Sequence, residues 1–284
     1  MNFCLIRSTA VVAVAGFLAS GALHAQDRKT CERDYKPQVG QSGKDVVWVP
    51  TPDELVQRML RMAKVTPQDV VYDLGAGDGK IAIAAGKAGA TAIGIEYNPD
   101  MSKLAQCYVQ AEGIGNKVKI VQGDIFKEDF SKATVITMYL LPELNLRLRP
   151  TILNMKPGTR VTSHQFTMGD WEADETAEIE YRTAYLWIVP AKVEGTWTLR
   201  EQGGSGQYTV NLSQKYQKIS GDVASGNSKQ PLVGATLRGE AIKFAFNDDK
   251  GVTRTLTGTV RGNELTGVLK GAGGAETKVT GSRK

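Results

Sequence analysis

The residues with the types and spacing to do chemistry begin at Asp73. It lies in the apolar run DVVYDL (69–74), and Gly75, Gly77 and Gly79 follow it. A glycine-rich turn between a strand and a helix lets backbone pass close to a ligand, because glycine has no side chain and adopts positive φ freely. In the dinucleotide fingerprint G-x-G-x-x-G the third glycine would fall at Lys80, but here it comes one residue early, at Gly79. A carboxylate on the turn also repels a pyrophosphate and attracts cationic or hydroxyl groups. The stretch predicts a nucleotide-like ligand without a diphosphate and argues against an NAD-type oxidoreductase.

Such residues need a scaffold, and the chain from about Asp45 to Pro190 alternates apolar strand-like runs with helix-like segments. A continuous apolar run of the kind buried in parallel sheets occurs at 69–74, a second buried strand at 90–96, and three more strands at 117–124, 133–140 and 159–166. Helical segments are expected from Pro52, with Thr51 as its cap, over 80–89, and over 99–113 with Asn98 as cap. Strands alternating with helices imply a doubly wound parallel sheet. It closes with AEIEYR (177–182) and TAYLWIV (183–189), two adjacent extended runs that predict an antiparallel edge pair. After Pro190 the pattern changes. About half of the 31 glycines lie in 195–284, between short alternating runs, which predicts an antiparallel β-meander closing into a small barrel or sandwich.

The run D-L-G-A-G-D-G after a strand resembles motif I of the class I S-adenosylmethionine-dependent methyltransferases, over roughly residues 50–190. The resemblance implies a seven-stranded sheet with an antiparallel final pair. It places Asp73, Gly75, Gly77 and Gly79 along the methionine half of S-adenosylmethionine. Glu96, at the end of the second strand, would accept bonds from both ribose hydroxyls, which a carboxylate can do. Asp124, in QGDIF, would meet the adenine amino group with Ile125 or Phe126 beside it. As an alternative, Glu96 and Asp124 would cap the helices that follow them. Through VPTP (49–52) and VYDLGAGDGKIAIAA the domain is most similar to a branch that includes small protein-lysine methyltransferases.

On the acceptor side, enzymes that methylate bases or glutamine amides often carry an Asn/Asp-Pro-Pro-aromatic run after the fourth strand. This chain reads Met138-Tyr139-Leu140-Leu141-Pro142 instead, which weakens a base-methylating reading. The acceptor implied is a protein side chain, with lysine among the candidates, or a small molecule. Candidate catalytic residues near the open strand ends are Tyr139 and His164, with Glu143 and Asn145 nearby; a structural hydrogen-bonding role is the alternative for His164. Arg147, Arg149 and Arg160 would suit an acidic acceptor or a solvated surface, and Trp171 either walls the acceptor pocket or packs in the core.

Composition bounds the rest. The chain has 284 residues, enough for two domains, with ordinary hydrophobic and charged fractions and a net charge of +5 without a long basic block, so there is no clear nucleic-acid signal. Two histidines exclude a histidine-rich metal site. The first 25 residues, with Arg7, an apolar stretch to about Ala19 and small residues before Ala25, predict a secretory signal peptide and a periplasmic or secreted product; an uncleaved anchor is the alternative. After cleavage no apolar run is long enough to span a bilayer. The organisation expected is thus signal peptide 1–25, N-terminal extension 26–50, methyltransferase domain 51–190 and β-rich domain 191–284. Cys31 and Cys107 would remain, able to pair in an oxidising compartment, although Cys107 in SKLAQCYVQA reads rather as a buried core thiol. GTWTL (195–199) faintly resembles the start of lipocalin-like barrels, which would hold an apolar ligand or dock a partner; a passive stabilising module is the alternative. Because the cofactor is made in the cytoplasm, an exported binding protein without methyl transfer is the competing function.

Overall fold

The structure is a computed structural model that describes residues 27–204, 206–226 and 228–283. The expected signal peptide lies outside the described residues. Seven strands form the first sheet: β1 (Val70–Leu74), β2 (Thr91–Glu96), β3 (Val118–Gln122), β4 (Val135–Met138), β5 (Arg160–His164), β6 (Glu175–Ile179) and β7 (Arg182–Ile188). Their order is β3-β2-β1-β4-β5-β7-β6, with the first five parallel and β7 antiparallel to both neighbours. The edge pair is present, but β6 ends earlier than the run AEIEYR suggests. Glu180 and Tyr181 take φ of 45° and 66°, the two left-handed residues that a tight hairpin turn demands.

The alternation of side chains along each strand sets two apolar layers. Val71, Ala92, Val118 and Val135 face one side, beneath α2 (Asp53–Met62), α3 (Lys80–Lys87) and α4 (Pro99–Ala111). Leu74, Ile95, Ile136 and Met138 face the other, under Leu144, Leu148 and Ile152 of α5 (Pro142–Leu153). Asn98 caps α4, its side chain accepting from the N–H groups of Asp100 and Met101. Thr51 does not cap α2. Pro52 holds that position without a side-chain bond, and the Thr51 hydroxyl lies 3.1 Å from His164 Nδ1 instead.

Cys31, closing the short helix α1 (Arg28–Cys31), is disulfide-bonded to Cys107 of α4. This corrects the reading of Cys107 as a core thiol: the pairing spans 76 positions of sequence, a proximity that no local pattern encodes. Arg28 pairs with Glu112, and the Tyr108 hydroxyl donates to Glu32, so α1 is fastened to α4 by polar contacts as well. A crosslink of this span restricts the unfolded chain by about 4 kcal/mol in the chain-entropy picture.

Beyond Ile188 the chain enters a second sheet of nine antiparallel strands: β8 (Gly195–Glu201), β9 (Gln207–Lys215), β10 (Lys218–Ser225), β11 (Ser228–Pro231), β12 (Val233–Arg238), β13 (Ala241–Asn247), β14 (Thr253–Arg261), β15 (Glu264–Lys270) and β16 (Glu276–Arg283). The order is β11-β10-β9-β8-β16-β15-β14-β13-β12, and the Leu232 N–H donates to the Gly221 carbonyl where the ends meet, so the barrel is nearly closed. β11 has no counterpart in the alternating pattern; its sequence SKQP is polar and ends in proline. Trp197, Tyr208, Phe244, Phe246, Leu256 and Leu269 fill the interior and are buried. With these side chains the barrel is a packed core, which goes against the ligand-holding alternative and is consistent with the docking and stabilising ones. Trp171 joins the two sheets rather than walling a pocket. Its indole N–H donates to Gln217, its ring stacks on Tyr216, and its carbonyl accepts from Trp187.

Candidate active site

The C-terminal ends of β1, β2 and β4 and the loop after β3 open onto one cleft of about 240 Å³. Asp73, Gly75, Gly77, Glu96, Asp124, Ile125 and Tyr139 all line it. The glycines are needed there. Gly75 has φ +76° and a Cβ would meet Leu140 at 2.8 Å; Gly77 has φ +56° and a Cβ would meet the Trp48 indole nitrogen at 2.8 Å.

Each carboxylate is held differently. Asp73 sits opposite Thr137 in the β1–β4 register, and the Thr137 hydroxyl donates to its Oδ1 at 2.7 Å. Its Oδ2 is buried with no partner among the described residues. Burial pushes the Asp73 carboxyl up to about 7, against the bond from Thr137. Glu96 is clamped from behind, accepting from the Gly77 N–H and the Asn98 N–H, both at 2.8 Å. Each oxygen keeps lone-pair capacity toward the cleft. Asp124 accepts from the Phe126 N–H at 3.0 Å and pairs with Lys44 at 3.0 Å; these two contacts hold its carboxyl below the usual range.

Gly79 and His164 do not line the cleft. Gly79 is the left-handed N-cap of α3, and a Cβ there would press on Ala105 at 3.2 Å and Ile120 at 3.4 Å, so it serves helix packing. His164 is 2% exposed, stacked beneath Tyr139 with centroids 3.8 Å apart, and bonded to Thr51. It therefore positions Tyr139 rather than facing an acceptor. Gln165, with φ 66°, turns the chain so that Phe166 reaches the cleft wall beside Tyr139. Asn145 is buried and donates to the Phe166 and Thr167 carbonyls, Arg149 binds Asp170 and the Met168 carbonyl, and Arg160 binds Asp69 and the Ala63 carbonyl. These three are structural. Arg147 lies over the Phe126 ring at 3.8 Å, and Glu143 is exposed at the start of α5.

Sequence patterning misses the front of the site. Residues 41–51 line the cleft without interruption, and Tyr97 and Met101 join them. The segment has no periodicity, only an isolated bridge between Ser42 and Val47. The VPTP resemblance is the one signal within it.

Two buried groups of the site titrate in opposition. Burial lowers His164 to about 4, so between pH about 4 and 6.5 the unfolded chain binds a proton that the folded one refuses. That contribution is lost as pH falls. Asp73, raised from 3.8 to about 7, holds a proton in the folded state that the unfolded chain has released, so its contribution is lost as pH rises. The two slopes offset. Relative to the parent, His164→Asn should lose stability as pH rises from about 4.5 to 6.5 and Asp73→Asn should gain it, each by up to about 1.4 kcal/mol per pH unit. Urea melts across that range check this; parallel curves for all three proteins would contradict it.

The family described as ANTKMT methyltransferase domain matches residues 73–175. The protein-lysine N-methyltransferase of Saccharolobus islandicus (strain REY15A) is 41% identical over 151 residues, 51% of this chain and 94% of that protein. The crystal structure of an RNA methyltransferase from Salinibacter ruber with S-adenosyl-L-homocysteine superposes with a TM-score of 0.50 at 46% identity, over 51% of this chain and 96% of that one. The chain belongs to the class I S-adenosylmethionine-dependent methyltransferases. The methyltransferase is also 29% identical to the adenine nucleotide translocase lysine N-methyltransferase of Mus musculus, spanning 41% of this chain and 52% of that protein. S-adenosylmethionine is its cofactor, and among the described residues no group of histidine, cysteine and carboxylate side chains is placed to hold a metal ion.

Proposed function

We propose that this methyltransferase modifies lysine side chains of a protein outside the cytoplasm. The observation that carries the reading is the gathering of Asp73, Glu96 and Asp124 around one cleft whose far wall is Tyr139 and Phe166. The cofactor presents an ammonium, a ribose diol and an adenine amine, all of them donors, and three carboxylates are suited to receive them. Asp73, with an unpartnered oxygen, suits the methionine end; Glu96 suits the diol; Asp124 with Ile125 suits the adenine end. The sulfonium supplies an electrophilic methyl group, so the protein's task is alignment and exclusion of water.

A protein amine fits the remaining wall better than a nucleic acid does. Val47, Val49, Tyr97 and Leu141 are exposed at the cleft and give it an apolar rim, and the lysines that line it, Lys44 and Lys80, are paired with Asp124 and Asp53. Tyr139 and Phe166 offer aromatic faces, which attract a methylated ammonium. A lysine must arrive unprotonated, and a low-dielectric cleft favours its neutral form. His164 is neutral above about pH 4 but is turned away to Thr51, so it does not serve as the base. Two features support export: the signal-like first 25 residues and the Cys31–Cys107 disulfide, a bond that persists in oxidising surroundings. The lysine names of the relatives support the acceptor.

The test incubates purified residues 27–284 with methyl-labelled S-adenosylmethionine and, separately, envelope protein, lysine peptides and RNA. Label is expected on lysine, with a rate that climbs as pH rises toward about 9 as more amine is free. Label in RNA, or in no acceptor, would sink the reading.

A further inference from the structure

The front wall of the cofactor cleft is one continuous stretch, residues 41–51, and it has little structure of its own. Its backbone bonds are internal: the Gly40 N–H donates to Trp48, Trp48 to Gln41, and Gly43 to Val46. Its hold on the body of the domain comes from a few points. Lys44 pairs with Asp124 and lies over the Tyr97 ring at 4.3 Å. The Trp48 indole rests on Gly77, and Thr51 is anchored to His164. Upstream, only residues 32–40 separate the stretch from Cys31, and Cys31 is covalently bound to α4. The same α4 contributes Met101 to the cleft, and Asn98 at its N-terminus lines it too.

We infer that the Cys31–Cys107 disulfide is a positioning element of the cofactor site: it clips down the strap that closes over the cofactor, so that cofactor retention depends on the oxidation state of this pair. The inference rests on the cofactor reading given above. The strap must move for exchange. Lys44 already occupies the carboxylate assigned to the adenine end, and the cleft of about 240 Å³ is below the roughly 300–1,000 Å³ of cavities that enclose ligands of this size. A strap whose upstream anchor is reduced to the polar contacts of Arg28 with Glu112 and Tyr108 with Glu32 opens more often and recloses less readily than one covalently tethered nine residues away. An external dithiol or phosphine reduces the disulfide to two thiols, is itself oxidised, and thereby unclips the strap without touching any residue that lines the cleft.

The experiment measures S-adenosyl-L-homocysteine binding by calorimetry and its dissociation by stopped flow. It uses the oxidised protein, the reduced and alkylated protein, and the Cys31→Ser/Cys107→Ser double variant. Binding five- to tenfold weaker without the disulfide, through faster dissociation, is expected, together with tryptic cleavage after Lys44 that the bound oxidised protein resists. A further variant carries a specific protease site inserted after Gln38. Cutting it leaves the disulfide and the folded domain intact but severs the strap from its clip, and it should reproduce the same loss even where the reduced protein does not fold. Equal affinities within twofold for the cut and uncut protein would overturn the inference while leaving the cofactor reading standing. No binding by the oxidised parent would overturn both.

Discussion

Glu96→Ala is expected to weaken S-adenosylmethionine binding by at least about a hundredfold. The size follows from the bonds lost. A carboxylate receiving two hydroxyls makes two charge-assisted hydrogen bonds, each worth about 1.5–3 kcal/mol, so losing both removes some 3 kcal/mol or more. A second loss comes from behind the site. The Gly77 and Asn98 N–H groups, both 2.8 Å from Glu96, forfeit their acceptor, and the glycine turn loses the clamp that shapes it. Glu96→Gln separates the two effects, since the amide oxygen still serves one N–H and one hydroxyl; it should fall between parent and alanine. Asp124→Ala should cost less than either, because the cofactor must share Asp124 with Lys44. Calorimetric titration ranks the three. A parent-like Kd for Glu96→Ala would remove the ribose role from this residue.

Trp171→Ala should be the most damaging single truncation outside the cleft, with a loss of about 3–5 kcal/mol. The indole is fully buried between the two sheets, stacked on Tyr216 and tilted against Trp187. Removing it leaves a cavity and strips Gln217 of the donor to its Oε1. The other links across the junction are single hydrogen bonds, from the Tyr216 hydroxyl to Asp170 and from the Gln217 amide to the Glu172 carbonyl, and exposed ion pairs of Lys215 with Asp170 and Lys218 with Glu172, which are individually weak. The expected calorimetric trace is a single transition for the parent and two for the variant, as barrel and methyltransferase sheet melt separately. A single transition near the parent Tm would show that other contacts hold the junction.

The parts of the molecule legible in the sequence are those where burial repeats. The parallel strands β1, β2 and β4 read out because they are largely apolar, as at Val70–Leu74 and Thr91–Glu96, and the barrel strands because they alternate. The three carboxylates are legible through their positions at the C-terminal ends of β1 and β2 and just after β3, which the sheet then brings to one edge. What escapes has no period. The strap 41–51 is irregular chain whose importance comes only from what it covers. The disulfide joins residues 76 positions apart, and Thr51 pairs with His164 rather than the helix end because a buried imidazole nitrogen offers it a partner. Gly79 fits the motif by spacing, yet the side of the turn it faces is decided by where α4 and β3 pack.

The filled barrel has a consequence for whatever the β-rich domain contributes. A container with its lumen occupied by Trp197, Tyr208, Phe244 and Phe246 can offer the outside world only its skin. Many residues of its strands face solvent and make only exposed polar contacts, such as Thr196 with Asn211 and Arg261 with Glu240, so that skin is open to change at small thermodynamic penalty. Lineages that direct the same catalyst to different targets would therefore be expected to differ on the barrel's outer faces while its stuffing stays the same.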